Sequence, residues 1–358
     1  MTLKNYTKGR GAQQDPANRF LELHHEILDE FLEYCVKNKE ASVNPKTNYI
    51  PVFPKTVVNK VTSPDVPMNY SMNPYQGCEH GCVYCYARNT HEFWGYSAGM
   101  DFEKNILIKE EAPALLERKI SSKKWKAETI VLSGNTDCYQ PAEKNYKLTR
   151  ACLKIFLKYR HPVGIITKNA LILRDLDIIE ELNRHRLIGV HISVTSLREE
   201  TRRILEPRTA SIKKRLETIR VLSDKKIPVN AMLAPIIPGI NSHEILELAK
   251  TTSEYGALSI AMTVVRLNGA IGKIFTDWIN MAMPEKADKV LNLIASCHGG
   301  KVNDSKFGLR VSGEGQIAKQ IHDMGKLAKR RYFKNKKFPS LNKAMHQQYK
   351  LGQWKLFD

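Results

Sequence analysis

The sequence predicts an α/β fold built on a parallel sheet, either open or closed as a barrel. Short apolar runs alternate with amphipathic helix patterns through the middle of the chain, as repeated βα units do. Pro162 and Pro228 each stand just before one of those runs, where a strand start tolerates the missing N–H. A hydrophobic fraction of 42% over 358 residues supplies a core and excludes a wholly disordered chain.

Strands are expected at 129–132, 163–167, 188–194, 229–233 and 258–265, and helices near 111–120, 142–159, 174–185, 211–224 and 242–255. In the 142–159 segment Leu148, Cys152, Ile155, Phe156 and Tyr159 share one face. Ahead of this alternation, residues 1–65 read as an N-terminal extension. They open on Gly9-Arg10-Gly11 and Asp15-Pro16, pass through a helical pattern at Phe20, Leu23, Ile27, Phe31 and Cys35, and end in a Pro- and Val-rich extended stretch. The βα segment takes 66–270, and 271–358 read as a basic, mainly helical C-terminal region. In a parallel barrel the active site lies at the C-terminal strand ends, so polar residues there carry the most weight.

Lys plus Arg number 56 and Asp plus Glu 37, a net charge of +19 that asks for a polyanion or an acidic surface as partner. No apolar stretch approaches the roughly eighteen residues of a membrane span. Met1–Asp15 is polar with no apolar signal core, which points to a cytoplasmic protein with no membrane partner. Seven cysteines, an odd number, argue against a disulfide framework and for reduced thiols that include metal ligands.

Three of those cysteines fall within eight residues, in Asn73-Pro74-Tyr75-Gln76-Gly77-Cys78-Glu79-His80-Gly81-Cys82-Val83-Tyr84-Cys85-Tyr86. Three thiolates from one loop suit three corners of a cubane iron–sulfur cluster, and Gly77 and Gly81 let the loop fold tightly around it. The fourth iron then stays open for a small chelating ligand. Other readings of the same residues are a Cys3His zinc site using His80 or His91, three structural cysteines, or an electron-transfer cluster completed by Cys138.

The spacing Cys78-x3-Cys82-x-Tyr84-Cys85, at the head of a βα series, resembles the Cys-x3-Cys-x-aromatic-Cys motif of radical S-adenosylmethionine (SAM) enzymes. The resemblance implies a partial (βα)6 TIM-like barrel. It also implies a 4Fe–4S cluster held by Cys78, Cys82 and Cys85, and SAM chelated to the open iron. Reductive cleavage of SAM then gives methionine and a 5′-deoxyadenosyl radical, with the electron coming from an external donor such as flavodoxin or ferredoxin. Gly9-Arg10-Gly11-Ala12, Asn18-Arg19-Phe20 and Ser133-Gly134-Asn135-Thr136-Asp137 extend the likeness to an uncharacterised radical SAM group. That group is related to spore photoproduct lyase, a DNA-repair enzyme. Lyase-like repair of damaged DNA is therefore the leading reading; modification of RNA or protein, or a non-catalytic Fe–S or zinc module recruited to nucleic acid, are the alternatives.

The same resemblance implies cofactor-binding residues at the strand ends. Gly134, Asn135, Thr136 and Asp137 stand where the family meets the SAM amino group. Lys168 and Ser193 approach the methionine carboxylate, and Ala234 and Tyr84 lie near adenine. Cys35, Cys152 and Cys297 read as core residues, and His191 as an interior histidine. Cys138 is a candidate hydrogen-atom donor to a product radical, with Tyr139 as relay. Arg208 is a candidate partner for a carboxylate or phosphate near the barrel mouth.

The last 33 residues hold ten Lys or Arg and one acid, so they carry +9 of the +19. Lys329, Arg330, Arg331, Lys334, Lys336 and Lys337 surround Tyr332 and Phe333, a pattern suited to a nucleic-acid backbone with stacked bases. Gln353, Leu356 and Phe357 resemble the short peptide by which bacterial repair proteins hold the sliding clamp.

Overall fold

The computed structural model describes residue 7 and residues 9–21, 46–302 and 308–350. Its centre is a seven-stranded sheet. The strands are β2 (Val58–Lys60), β3 (Tyr70–Met72), β6 (Ile130–Leu132), β7 (Val163–Thr167), β8 (Ile188–Ser193), β9 (Val229–Ile236) and β10 (Ser259–Val264). The order is β10-β9-β8-β7-β6-β3-β2, and every neighbouring pair from β3 to β10 is parallel. Six parallel strands in chain order are the partial (βα)6 arrangement. The sheet does not close: among the described residues β10 and β2 form its two edges, β2 pairing antiparallel with β3. A small second sheet joins β1 (Asn48–Pro51), β5 (Asn105–Ile108) and β4 (Tyr75–Gln76) beside the cysteine loop.

The four expected strands from 163 onward and the run at 129–132 form where the apolar runs place them, with ends shifted by up to three residues. Their near-continuous burial follows from being covered on both faces. The first barrel strand, β3, escapes sequence reading because Tyr-Ser-Met is short and not apolar throughout. The expected helix at 142–159 is broken in two. Lys147 takes a left-handed φ of 53°, and the Glu143 carboxylate accepts from the backbone N–H groups of Thr149 and Arg150. That carboxylate starts the second piece, Leu148–Lys158, whose buried face of Leu148, Cys152 and Phe156 is the one the periodicity marks. Residues 22–45, with Cys35, and the Gln353–Phe357 peptide lie outside the described residues. Among the described residues no helix is long and apolar enough to cross a membrane.

The C-terminal region is helical at Ala270–Ala282, Ala287–Ser296, Gly315–Tyr332 and Ala344–Lys350. Its basic stretch is packed structure rather than a tail. Phe333 is buried in the main core and Tyr332 packs against it, so neither is a stacking platform for bases. Phe338 closes over Gly189 of β8, where a Cβ would sit 2.9 Å from its ring. His346 lies with its ring nitrogens 2.7 Å from the Tyr159 carbonyl oxygen and 3.1 Å from that of Ile120, pinning the last helix to the barrel. Lys336 donates to the Ser253 and Ala257 carbonyls at the C-terminus of helix Ile245–Glu254, at 2.6 and 3.3 Å, where the helix dipole favours a cation. Lys329, Arg330, Arg331, Lys334 and Lys337 remain exposed.

Lys336→Ala should therefore cost about 1.5–3 kcal/mol of stability in urea unfolding, the range for hydrogen bonds from a charged donor. Lys337→Ala, one residue on and exposed, should leave the unfolding midpoint unchanged.

Candidate active site

The cysteine loop leaves β4 and turns at two glycines in left-handed conformations, Gly77 (φ 80°) and Gly81 (φ 70°). A Cβ on Gly77 would lie 2.9 Å from the Asn105 carbonyl oxygen, so the site requires glycine twice over. Backbone ties hold the loop from three sides. Cys78 N–H donates to the Phe102 carbonyl (2.8 Å), Val83 N–H to that of Leu205 (3.1 Å), and Gln140 bridges Glu79 N–H and the Gly77 carbonyl.

Beneath the loop lies a wholly buried ion pair, Arg88–Glu103, at 2.5 Å. Arg88 also donates to the carbonyls of Cys82 (3.0 Å), Ala98 (3.3 Å) and Gly99 (2.9 Å). The Glu103 carboxylate accepts from the backbone N–H groups of Gly11 (3.1 Å) and Ala12 (2.8 Å), and Arg10 donates to its backbone carbonyl. Gly11 thereby lies so close to the loop that a Cβ would fall 1.7 Å from the Gly81 carbonyl oxygen. This explains the Gly9-Arg10-Gly11-Ala12 segment, which braces the cysteine loop from outside. Sequence reading missed Arg88 and Glu103. The one available signal was a charged residue three positions after Cys85.

Cys78, Cys82 and Cys85 line a cavity of about 420 Å3 at the C-terminal ends of the strands. Tyr84, Gly134, Asn135, Thr136, Asp137, Lys168, Ser193 and Ala234, all expected at strand ends, line the same cavity. Their detailed roles differ from expectation. Thr136 donates its hydroxyl hydrogen to the Tyr75 carbonyl. Asp137 accepts from Thr167 Oγ1, Lys168 N–H and Tyr139 N–H at 2.8–2.9 Å, and lies 3.4 Å from His80 Nδ1. These four partners occupy the lone pairs of the carboxylate, so Asp137 joins strand ends rather than offering an acceptor. Burial pushes its pKa up, but His80 and the hydrogen bonds outweigh it and hold the group down at about 2. Asn135 spends its amide hydrogens on Thr90 Oγ1 (2.9 Å) and Gln76 Oε1 (3.3 Å), which leaves its carbonyl oxygen as an acceptor. Gly134 packs its bare Cα against Ser71, so its lack of a side chain serves strand packing.

A second carboxylate is buried behind Tyr84, which lines the cavity. Glu206 accepts from Tyr84 Oη, Thr195 Oγ1 (2.9 Å) and the Arg215 guanidinium, and is fully buried. Burial raises its pKa, but Arg215 and Lys168 hold it down at about 2. Burial works against the charge on Lys168, yet Cys82 and Glu206 keep its pKa above the ordinary value. Its Nζ lies 5.9 Å from the Tyr84 ring centroid, on the cavity wall. Sequence reading stopped at neighbouring Arg208, which is exposed and does not line the cavity.

Cys138 and Tyr139 are not brought to the cavity. Both are fully buried in the main apolar cluster, and the Tyr139 hydroxyl lies 3.1 Å from Asp175. The structure thus brings neither side chain among the residues that line the cavity with Cys78, Cys82 and Cys85. His191 is an interior histidine bonded to Asn230. His91 lies buried between the rings of Tyr96 and Phe102, and desolvation lowers its pKa to about 4. Among the described residues no three His, Cys, Asp or Glu side chains converge on a single ion position. Three thiols from one loop, two buried and one half-buried, suit a polynuclear centre, whose positive charge would offset the burial that raises the Cys78 and Cys82 pKa values.

Residues 72–252 match the model of the Radical SAM superfamily. The chain belongs to the radical SAM superfamily. It is 30% identical over 245 residues to an uncharacterised protein of Mycobacterium tuberculosis, covering 68% of this chain and 72% of that one. It is 31% identical over 198 residues to an uncharacterised protein of Methanocaldococcus jannaschii, covering 55% and 71%. Among solved structures its fold is similar to spore photoproduct lyase complexed with dinucleoside spore photoproduct. The TM-score is 0.59 and the identity 16%, covering 80% of this chain and 79% of that one. Enzymes of the radical SAM superfamily use a 4Fe–4S cluster and SAM, and the three thiols and the cavity beside them fit both.

Two outcomes follow for this radical SAM chain without its cofactors. Glu103→Ala strands Arg88 as a buried unpaired charge and should cost about 3–5 kcal/mol in denaturant unfolding. The folded pKa of Glu206 lies below the unfolded value of about 4.3, so its contribution is full above that value and is lost as pH falls toward about 2. Unfolding midpoints at a series of pH values should show Glu206→Gln flattening the acid loss of stability in that window.

Proposed function

We propose that this enzyme binds SAM beside a cluster held by Cys78, Cys82 and Cys85 and acts by radical chemistry on damaged DNA, in the manner of a photoproduct lyase. The observation that carries the reading is convergence: one cavity gathers the cysteine loop and the ends of five successive parallel strands. When bound, the cluster supplies the electron that cleaves SAM to methionine and a 5′-deoxyadenosyl radical able to take hydrogen from a substrate.

The chain's own residues then have distinct tasks. Lys168, kept charged by Glu206 and Cys82, pairs with the methionine carboxylate. The Asn135 carbonyl accepts from the ammonium, and the Ser193 region flanks the carboxylate. Ala234 and Pro235 offer the adenine ring an apolar surface, with the Tyr84 backbone on the other side. Arg88 and Glu103 keep the loop in register, and the strand ends exclude water around the reacting carbon.

Two features support nucleic acid as substrate. The fold is that of spore photoproduct lyase, whose structures hold a dinucleoside photoproduct. The charge of +19 includes Arg266 and Arg310 on the cavity wall and the exposed Lys329, Arg330, Arg331, Lys334 and Lys337. An external electron donor completes the system.

Anaerobically reconstituted protein with SAM deuterated at the 5′ carbon should yield 5′-deoxyadenosine and exchange label with ultraviolet-damaged duplex DNA. Cys78→Ala, Cys82→Ala and Cys85→Ala should each abolish both. Labelling of RNA with none in any DNA would contradict DNA as the substrate.

A further inference from the structure

The structure carries an exposed aromatic patch on the outer side of the cysteine loop. Phe93 is 68% exposed, Phe20 52%, Leu21 46% and Trp94 39%. The Phe20 and Phe93 rings lie 4.7 Å apart, and the Arg19 guanidinium spreads over both, 4.7 and 5.7 Å from their centroids. The patch is built rather than incidental. Asn18 donates to the Glu92 and Tyr96 carbonyls at 3.0 Å, and Arg19 pairs with buried Glu92 at 3.2 Å. Aromatics around an arginine are the composition of protein-binding hot spots, and a soluble surface seldom gathers such residues without a partner.

We infer that this patch docks a small acidic electron-carrier protein and is where the reducing electron enters. The inference rests on the reading of the loop as a cluster site. Three observations select this partner. First, ring contacts lead from the segment that carries the patch to the thiols. His91, whose carbonyl accepts from Trp94 N–H at 2.9 Å, stacks on Tyr96 and meets Phe102 edge-on, and its Cε1 is 3.2 Å from where a Gly77 Cβ would be. Phe102 in turn packs with Cys78 and Cys85. Second, none of Arg19, Phe20, Leu21, Phe93 or Trp94 lines the cavity, so a protein seated on them leaves the substrate entrance open. Third, the charge is complementary: the chain carries +19, with half-exposed Arg19 in the patch.

The step moves no atoms. The reduced carrier loses one electron, and the cluster core charge falls from 2+ to 1+. A carrier that must dock is sensitive to the patch, whereas a small reductant is not.

The test is stopped-flow reduction of the reconstituted full-length protein, followed by loss of visible cluster absorption. Reduced flavodoxin is compared with dithionite, for wild type and for Phe20→Ser/Phe93→Ser. Both side chains are exposed, so the variant retains its core. At subsaturating flavodoxin the variant should be reduced about tenfold more slowly, as loss of a modest hot spot implies. Added salt should slow the wild type, and the dithionite rate should be unchanged. An unchanged flavodoxin rate overturns the inference, as does equal slowing with both reductants. A wild-type dimer that the variant converts to monomer in sedimentation also overturns it, by assigning the patch to a second copy. Failure of dithionite-reduced wild type to cleave SAM would instead count against the proposed function and leave the docking result standing.

Discussion

The site depends on one buried ion pair. Arg88 and Glu103 are both fully shielded from water, and neither charge would be tolerated there alone. Their cost is offset by saturation. The guanidinium meets three backbone carbonyls as well as the carboxylate, and the carboxylate meets two backbone N–H groups as well as the guanidinium. Each bond ends on backbone, so the pair fixes the path of three chain segments at once: the cysteine loop at Cys82, the turn at Ala98 and Gly99, and the N-terminal strap at Gly11 and Ala12. The loop packs Val83 and Tyr84 into an apolar cluster but is otherwise glycine, thiol and polar. The pair supplies the rigidity that the loop's own composition lacks.

The cavity repeats this logic on its other walls. Asp137 joins the ends of β6 and β7 with all its lone pairs occupied, and Glu206 joins Tyr84, Thr195 and Arg215 below Lys168. Asp137 in the cavity lining and Glu206 behind Tyr84 thus lend it no open acceptor. What faces a ligand is the complement: thiols, a lysine, an amide carbonyl and apolar strand residues. That set suits a zwitterionic amino acid end joined to a planar base beside a thiolate-bound cluster. The open sheet matters as well. Because β10 and β2 do not pair, the mouth is bordered by loops, where Arg310 reaches across to Asp65.

Much of this was legible in the chain. Short, mainly apolar runs marked the strands because a sheet covered on both faces needs them. The three cysteines marked the site because they crowd into eight residues beside two glycines at the head of the βα series. The strand-end residues were legible only through the family pattern, and their chemistry was partly misread. Asp137 looks like a ligand acceptor in sequence but is spent on two backbone N–H groups, Thr167 and His80, and Thr136 turns its hydroxyl hydrogen to the Tyr75 carbonyl. Cys138 sits next to an active-face residue, yet alternation along the chain turns it into the core. The basic cluster before residue 337 looked like a tail because charge shows in sequence and packing does not. Phe333, Phe338, His346 and Lys336 anchor it to the barrel through partners more than eighty residues away in most cases. Arg88 and Glu103 were invisible for the same reason: an ion pair has no local signature until the fold brings its halves together.

The central claim is that the cysteine loop, held by Arg88 and Glu103, carries a 4Fe–4S cluster with one iron open to SAM. Electron paramagnetic resonance of the reduced, reconstituted protein, recorded with and without SAM, tests it most directly. The account predicts a 4Fe–4S signal that changes shape when SAM binds and that is lost in Cys82→Ala. A cluster signal indifferent to saturating SAM, or a protein that takes up zinc and no iron, would contradict it.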